Sequence, residues 1–412
     1  MTVSRWVAMS IALVAGVAAG AATPQPVGQF VDHRDIGGPA HPGNTSYDAK
    51  TGIYSITGGG SNMWADHDAF QFTWKPMSGN VAMQTDLDFT SPKPAPTAGG
   101  FLHRKGGIVL RQDLDPDSAY VDAIRMSNDQ LSLQYREVKG GQTRLIWINT
   151  SRLGMVKLEK IGDYAYLSVP GPDGKLHRAG GSFKLKITGT YYIGLGVCAH
   201  DDTTSETMAF SKVKITPLAA NVAGRSNDTA LQTIQVANEF EQTVLHRSAG
   251  PIAIAGWSPD GKDIVYRTGG ALYSATGWDS DRVAKRGSAV PPLAAVPAGA
   301  WVYSSATAGS VSGLWRARAD GTAGTLVATG PGSAFEPRLS PDGKWLVYLA
   351  TDAATNSLPP IADVALRRMP VEGGVPQPEK TITLSKFRGG AGSLVSAAWS
   401  PDSRLIAFLT RD

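Results

Sequence analysis

The sequence predicts an all-β chain, a β-sandwich in the first half followed by a β-propeller in the second. Three observations carry this. Short runs of alternating apolar and polar residues fill the first half, a Ser-Pro-Asp-Gly turn recurs through the second, and no long stretch keeps a helical period. The 47 glycines and 26 prolines among 412 residues suit many short strands joined by tight turns.

The N-terminus reads as an export signal. Arg5 precedes an apolar run from Trp6 to Ala19, and the small residues Gly20, Ala21 and Ala22 follow. A charged end, an apolar stretch and an A-x-A-like site make residues 1–22 a cleavable signal peptide, so the protein is expected to be periplasmic or secreted. The run is shorter than the roughly 20 residues that span a bilayer, and no later segment reaches that length, so no membrane span is expected after cleavage. About 390 residues then remain, enough for two or three domains. The net charge of +4 is spread without a basic cluster, which excludes nucleic acid as the expected partner. Cys198 is the only cysteine and sits in the apolar run Ile193 to Cys198, where a buried, inert thiol is expected.

Residues 23–216 read as the sandwich. Phe70, Phe72 and Trp74 alternate with Gln71 and Thr73, so the three rings share one strand face. Val81, Met83, Leu87 and Phe89 keep one parity, with Gln84, Asp86 and Asp88 opposite; Leu131, Leu133 and Tyr135 alternate with Ser132, Gln134 and Arg136. Turns punctuate the runs at Gly58-Gly59-Gly60, Asn128-Asp129, Gly140-Gly141 and Gly162-Asp163. Asp86, Asp88, Arg111, Gln134 and Arg136 are expected to share a concave sheet face, with Trp64, Tyr120 or Trp147 as a ring for stacking on a sugar. The competing reading makes those aromatics core and those charges solvated surface.

Residues 217–230 are expected to be a linker. Beyond it, Trp257-Ser258-Pro259-Asp260-Gly261-Lys262 matches Leu339-Ser340-Pro341-Asp342-Gly343-Lys344 and Trp399-Ser400-Pro401-Asp402-Ser403-Arg404, and a worn copy runs from Val296 to Tyr303. Proline presets φ, aspartate bonds to nearby backbone and glycine accepts positive φ, so the motif turns one strand into the next. The prolines fall 38, 44 and 60 residues apart, which gives four blades over 231–412. The last copy stops after its second strand, and residues 231–247 are expected to supply the missing strands as a closure.

Segments of both halves resemble known families. Tyr47-Asp48-Ala49-Lys50-Thr51-Gly52, Gly58 to Trp64, Arg104-Lys105-Gly106-Gly107-Ile108-Val109-Leu110-Arg111 and Phe210 to Ile215 together resemble bacterial concanavalin A-like jelly rolls related to laminin G-like modules. The repeats resemble TolB-like, WD-repeat-like propellers, which usually have six blades. The resemblance implies recognition of carbohydrate or protein and implies no reaction.

No catalytic machinery is recognisable, since G-x-S-x-G, Walker, dinucleotide and H-E-x-x-H motifs are missing. Asp66-His67-Asp68 and His200-Asp201-Asp202 are the His–carboxylate clusters, and adjacent strand residues point to opposite faces, so they read as surface rather than metal ligands. No cofactor is expected; a structural calcium would suit a jelly roll. The sequence therefore reads as a non-catalytic exported protein that binds a glycan or an envelope protein. The alternatives are a carbohydrate-active enzyme, which needs carboxylates roughly 5 to 9.5 Å apart, and a TolB-like envelope component.

Overall fold

The computed structural model describes residues 24–411 apart from 92–103, 128–129, 149, 151, 172, 180–182, 222–227, 238–240, 277–278, 287–300, 309–310, 328, 330–331, 356, 358–361 and 390–396. The leader 1–22, the turn Asn128-Asp129 and Val296 to Ala300 of the worn repeat lie outside the described residues. The described elements are strands and one 3-10 turn at Pro378–Lys380, so the chain is all-β. Among the described residues no helix is long and apolar enough to cross a membrane.

Two antiparallel sheets make the sandwich. The front sheet runs in the order Asp32–Ile36, Phe70–Ser78, Thr190–Cys198, Lys105–Arg111, Tyr120–Met126, Leu131–Arg136 and Arg144–Ile148. The back sheet runs Leu176–Arg178, Tyr164–Pro170, Met155–Ile161, Asn80–Phe89, Glu206–Leu218, Ile53–Gly58 and Asn44–Asp48. Alternation decides what lies between them. Val81, Met83 and Leu87 from the back sheet meet Ile108, Leu110, Leu131, Leu133 and Ile146 from the front in one core. Phe70, Phe72 and Trp74 do share a face, and it is the opposite one, packed with Val109, Ile124 and Met126 on the far side of the front sheet.

The second half is built of blades. Blade one comprises Ile252–Trp257, Asp263–Thr268, Ala271–Thr276 and Asp279–Arg286; blade two Trp301–Ala308, Val311–Arg318 and Thr325–Val327. Blade three comprises Ser333–Leu339, Trp345–Thr351, Ala362–Glu372 and Ile382–Gly389. Blade four is the closure: Ala398–Trp399 and Leu405–Arg411 are completed by Thr229–Gln235 and Glu241–Ser248, with Leu231 opposite Leu409 and Ile234 opposite Ile406. The expected linker is therefore shorter than 217–230, because one strand continues to Leu218 and the next begins at Thr229.

The turn motif works as its residues dictate. Ser340 Oγ donates to Asp342 Oδ1 at 2.6 Å, Asp342 Oδ1 accepts from Lys344 N at 3.1 Å, and Ser340 Oγ accepts from Trp345 N at 3.0 Å. The copies at Ser258 and Ser400 repeat this. Gly343 takes φ +73°. In the last copy Ser403 stands at the glycine position with φ 62°, and its Oγ accepts from Asp342 N at 3.1 Å, tying blades three and four together.

The two halves share a sheet. Leu145–Ile148, the last strand of the front sheet, pairs in parallel with Glu241–Val244 of blade four. Around this seam Arg144 donates to the carbonyls of Leu384 and Thr383 at 3.0 and 3.1 Å, and Lys386 pairs with Glu137 at 2.8 Å. Ala230 and Val244 enter the sandwich core. On the other side of blade four, His246 packs against Tyr266 and Tyr273, with centroids 5.3 and 5.9 Å away.

Two outcomes follow. Gly343→Ala meets open space, so it carries only the backbone penalty of about 1–2 kcal/mol, to be read as a shift in urea midpoint. Burial holds the His246 imidazole below its ordinary value of 6.5. Its contribution to stability is therefore complete above that pH and is lost as pH falls toward the folded-state value. Urea titrations between about pH 5 and pH 8 should show that loss, and His246→Gln should flatten it.

Candidate functional site

The far face of the front sheet carries the polar groups that alternation turns away from the sandwich core: Lys105, Arg111, Tyr120, Asp122, Gln134, Arg136 and Trp147. A hairpin lies over it, with Met63 opposite Asp68 and Trp64 opposite His67. Ala65, at its turn, has φ 52°.

Asp68 fixes the hairpin to the sheet. Its Oδ2 accepts from Arg111 Nη1 at 2.6 Å and from Arg136 Nη1 at 3.0 Å, and its Oδ1 accepts from Arg136 Nη2 at 2.8 Å. Both arginines are completely buried. Their remaining donors reach carbonyls: Arg136 to Ala65 and Ser118 at 3.0 and 2.9 Å, Arg111 to Asp115 at 2.5 Å. Tyr120 lies beside them with its ring 4.9 Å from the Arg136 guanidinium carbon, and burial pushes its hydroxyl well above the ordinary value.

These positions correct the expected binding set. Arg111, Tyr120 and Arg136 do share a face, but the hairpin seals them from ligand. Gln134 is buried too, and its Oε1 accepts from Lys105 Nζ at 3.3 Å. Asp86 and Asp88 lie on the back sheet, beside an open groove of about 800 Å³. Strand parity fixes which way a residue points within its own sheet and leaves open which sheet it belongs to. Each of these carboxylates already holds a cation: Asp86 pairs with Lys212 at 2.7 Å and Asp88 with Arg125 at 2.8 Å.

Trp64 and Trp147 remain, and the structure brings them together. They border a cavity of about 180 Å³ with Asn62, Lys105, Met126, Leu145, His200 and Glu241. Glu241 comes from blade four, placed there by the parallel seam, and its Oε2 accepts from Trp147 Nε1 at 3.4 Å. Lys105 is 3% exposed, and its Nζ donates to Met63 O at 2.9 Å and lies 5.2 Å from the Trp64 ring. Burial lowers the Lys105 ammonium below its usual range and raises the neighbouring Asp122 carboxyl well above its own. Asp122 Oδ1 accepts from Gln134 N at 3.1 Å. His200, at φ 59°, is turned into place where Cys198 Sγ accepts from its amide at 3.3 Å. Cys198 is buried as expected, and burial pushes its thiol up to about 12, so it is no nucleophile.

Asn62 and Lys105 stand within the segments that carry the jelly-roll resemblance, and His200 within a cluster weighed for metal. Glu241 had no local signal, since it reaches the pocket only through pairing between the halves. Among the described residues no group of three or more His, Cys, Asp or Glu side chains is placed to share a metal ion. Asp201 is engaged with the amide and hydroxyl of Thr203 at 2.8 and 2.7 Å.

No family model matches the chain. A protein of Agrobacterium fabrum described as uncharacterised is 27% identical over 207 residues, 46% of this chain and 69% of that one. Among solved structures, one assigned to TolB from Agrobacterium tumefaciens aligns with 75% of this chain and 99% of its own at 15% identity and a TM-score of 0.25. Lectin I-B4 of Griffonia simplicifolia aligns with 42% and 90% at 9% identity and a TM-score of 0.28. None of these likenesses identifies a ligand.

Removing the acid between the two arginines leaves two buried cations uncompensated. Asp68→Ala should therefore cost about 3–5 kcal/mol in chemical denaturation. Asp88→Ala, whose carboxylate is largely exposed, should stay within about 1 kcal/mol of the parent.

Proposed function

We propose that the chain is an exported, non-catalytic binding protein that holds a single sugar residue in the Trp64–Trp147 pocket. The observation that carries this is the pairing of two indoles with polar groups of both kinds around one small cavity. Pyranose rings present apolar C–H faces to aromatic rings and hydroxyls to donors and acceptors at their rim. Lys105 supplies a donor; Asn62 and Glu241 supply acceptors. At about 180 Å³ the cavity is smaller than the 300–1,000 Å³ typical of drug-sized ligands. It has room for one ring rather than a chain. Export rests on the leader sequence, which gives the periplasm or the cell exterior as the place of binding. The exposed surface of the blades is left for an envelope protein partner.

The test is a glycan array probed with the full-length mature protein, followed by titration of any hit through intrinsic tryptophan fluorescence. Trp64→Ala and Trp147→Ala should each weaken binding by roughly 10- to 100-fold, the loss of about 1.4–2.8 kcal/mol. Glu241→Ala should weaken it as well, although it lies in the other half of the chain. A blank array from folded protein, or a hit indifferent to both tryptophan variants, overturns the reading.

A further inference from the structure

We propose that the pocket reads an acetamido group, so that it takes a 2-acetamido sugar in preference to the plain hexose; this rests on the sugar-binding reading above. A spare donor and an unmet acceptor belong to residues that line this one cavity. Lys105 Nζ has three N–H groups and spends two, on Met63 O and Gln134 Oε1. Asn62 Oδ1 is shielded from water and, among the described residues, accepts no hydrogen bond. Each such buried group costs free energy until a partner arrives. Beside them Met126 and Leu145 line the same cavity, 3% and 2% exposed, and offer nothing polar.

An acetamido substituent answers all three features at once. Its carbonyl accepts from the ammonium of Lys105, its N–H donates to Asn62 Oδ1, and its methyl lies on the thioether and isobutyl groups. The planar trans amide holds donor and acceptor on opposite sides, so one group faces two walls. Other substituents do less well. A hydroxyl has to accept from Lys105 and donate to Asn62 Oδ1 through one oxygen atom, where the amide uses two, and it leaves the apolar wall bare. A free amine brings a second positive charge to Lys105. A carboxylate meets Lys105 but sets its charge against Glu241 and an acceptor against Asn62 Oδ1.

The decisive comparison uses tri-N-acetylchitotriose, cellotriose and chitosan triose, which differ only at the C2 substituent, titrated into the full-length protein by tryptophan fluorescence and calorimetry. The acetylated triose should bind about tenfold or more tightly than cellotriose, and chitosan triose more weakly than cellotriose. Asn62→Leu should shrink the ratio between the first two toward one. Equal affinity for the first two, or a preference for cellotriose, overturns the acetamido assignment and leaves the sugar pocket standing. Binding of none of the three by folded protein overturns the acetamido assignment, and sugars outside this set then test the pocket. The ligand comparison is made on the unaltered chain, so it stands whether or not the variant folds.

Discussion

The buried contact of Asp68 with Arg111 and Arg136 is the constraint on which the candidate site depends. Taking three charges out of water is costly, and their attraction offsets that only when nearly every donor is used. Here the remaining donors go to Ala65, Ser118 and Asp115, carbonyls in the hairpin and in the loop beside it. The cluster is therefore best understood as a register pin. It lets the Met63–Asp68 hairpin sit on the sheet in one way, and that way puts Trp64 on the same cavity as Trp147 and brings Met63 O to Lys105.

The strands were legible because burial follows parity closely: Val81, Met83, Thr85 and Leu87 go inward while Ala82, Gln84 and Asp86 do not. The blades were legible because a Ser-Pro-Asp-Gly turn has a mechanical meaning, and the closure followed from an unfinished final blade. The site was only half legible. Parity placed Arg111, Gln134, Arg136, Tyr120 and Trp147 on one face. It gave no sign that a hairpin some 40 to 70 residues earlier in the chain would bury most of them. Polar residues with strand parity look alike whether they meet water or another segment. Asp86 and Asp88 were assigned to the wrong sheet for the related reason that alternation carries no pairing information. Glu241 was invisible because its neighbour, Trp147, is nearly a hundred residues away.

The propeller shows how a small set of blades distributes its apolar surface. Leu314 and Val327 of blade two pack on Leu346 and Met369 of blade three; Phe335 and Val347 meet Ile406 and Phe408 of blade four; Leu231 and Leu409 meet Trp257 and Ile264 of blade one. Among the described residues no such core joins blade one to blade two. The corresponding face of blade two presents Val302, Trp315 and Leu326 to solvent, 51%, 37% and 59% exposed. Cross-strand register explains why they fall together: Trp315 is opposite Leu326, while Tyr303, Leu314 and Val327 occupy the other face.

The parallel seam between Leu145–Ile148 and Glu241–Val244 sets an order of events as the chain leaves the ribosome. The sandwich can gather its own sheets once residue 218 has emerged, yet its last strand keeps unpaired backbone groups until Glu241–Val244 arrives. That segment in turn leans on Thr229–Gln235, whose outer neighbour, Leu405–Arg411, is made well over a hundred residues later. Pairing between strands so distant in sequence is slow, and a bare edge invites other chains. The sandwich edge is thus covered by a strand of the other half, and a chain released before residue 241 would carry that edge exposed.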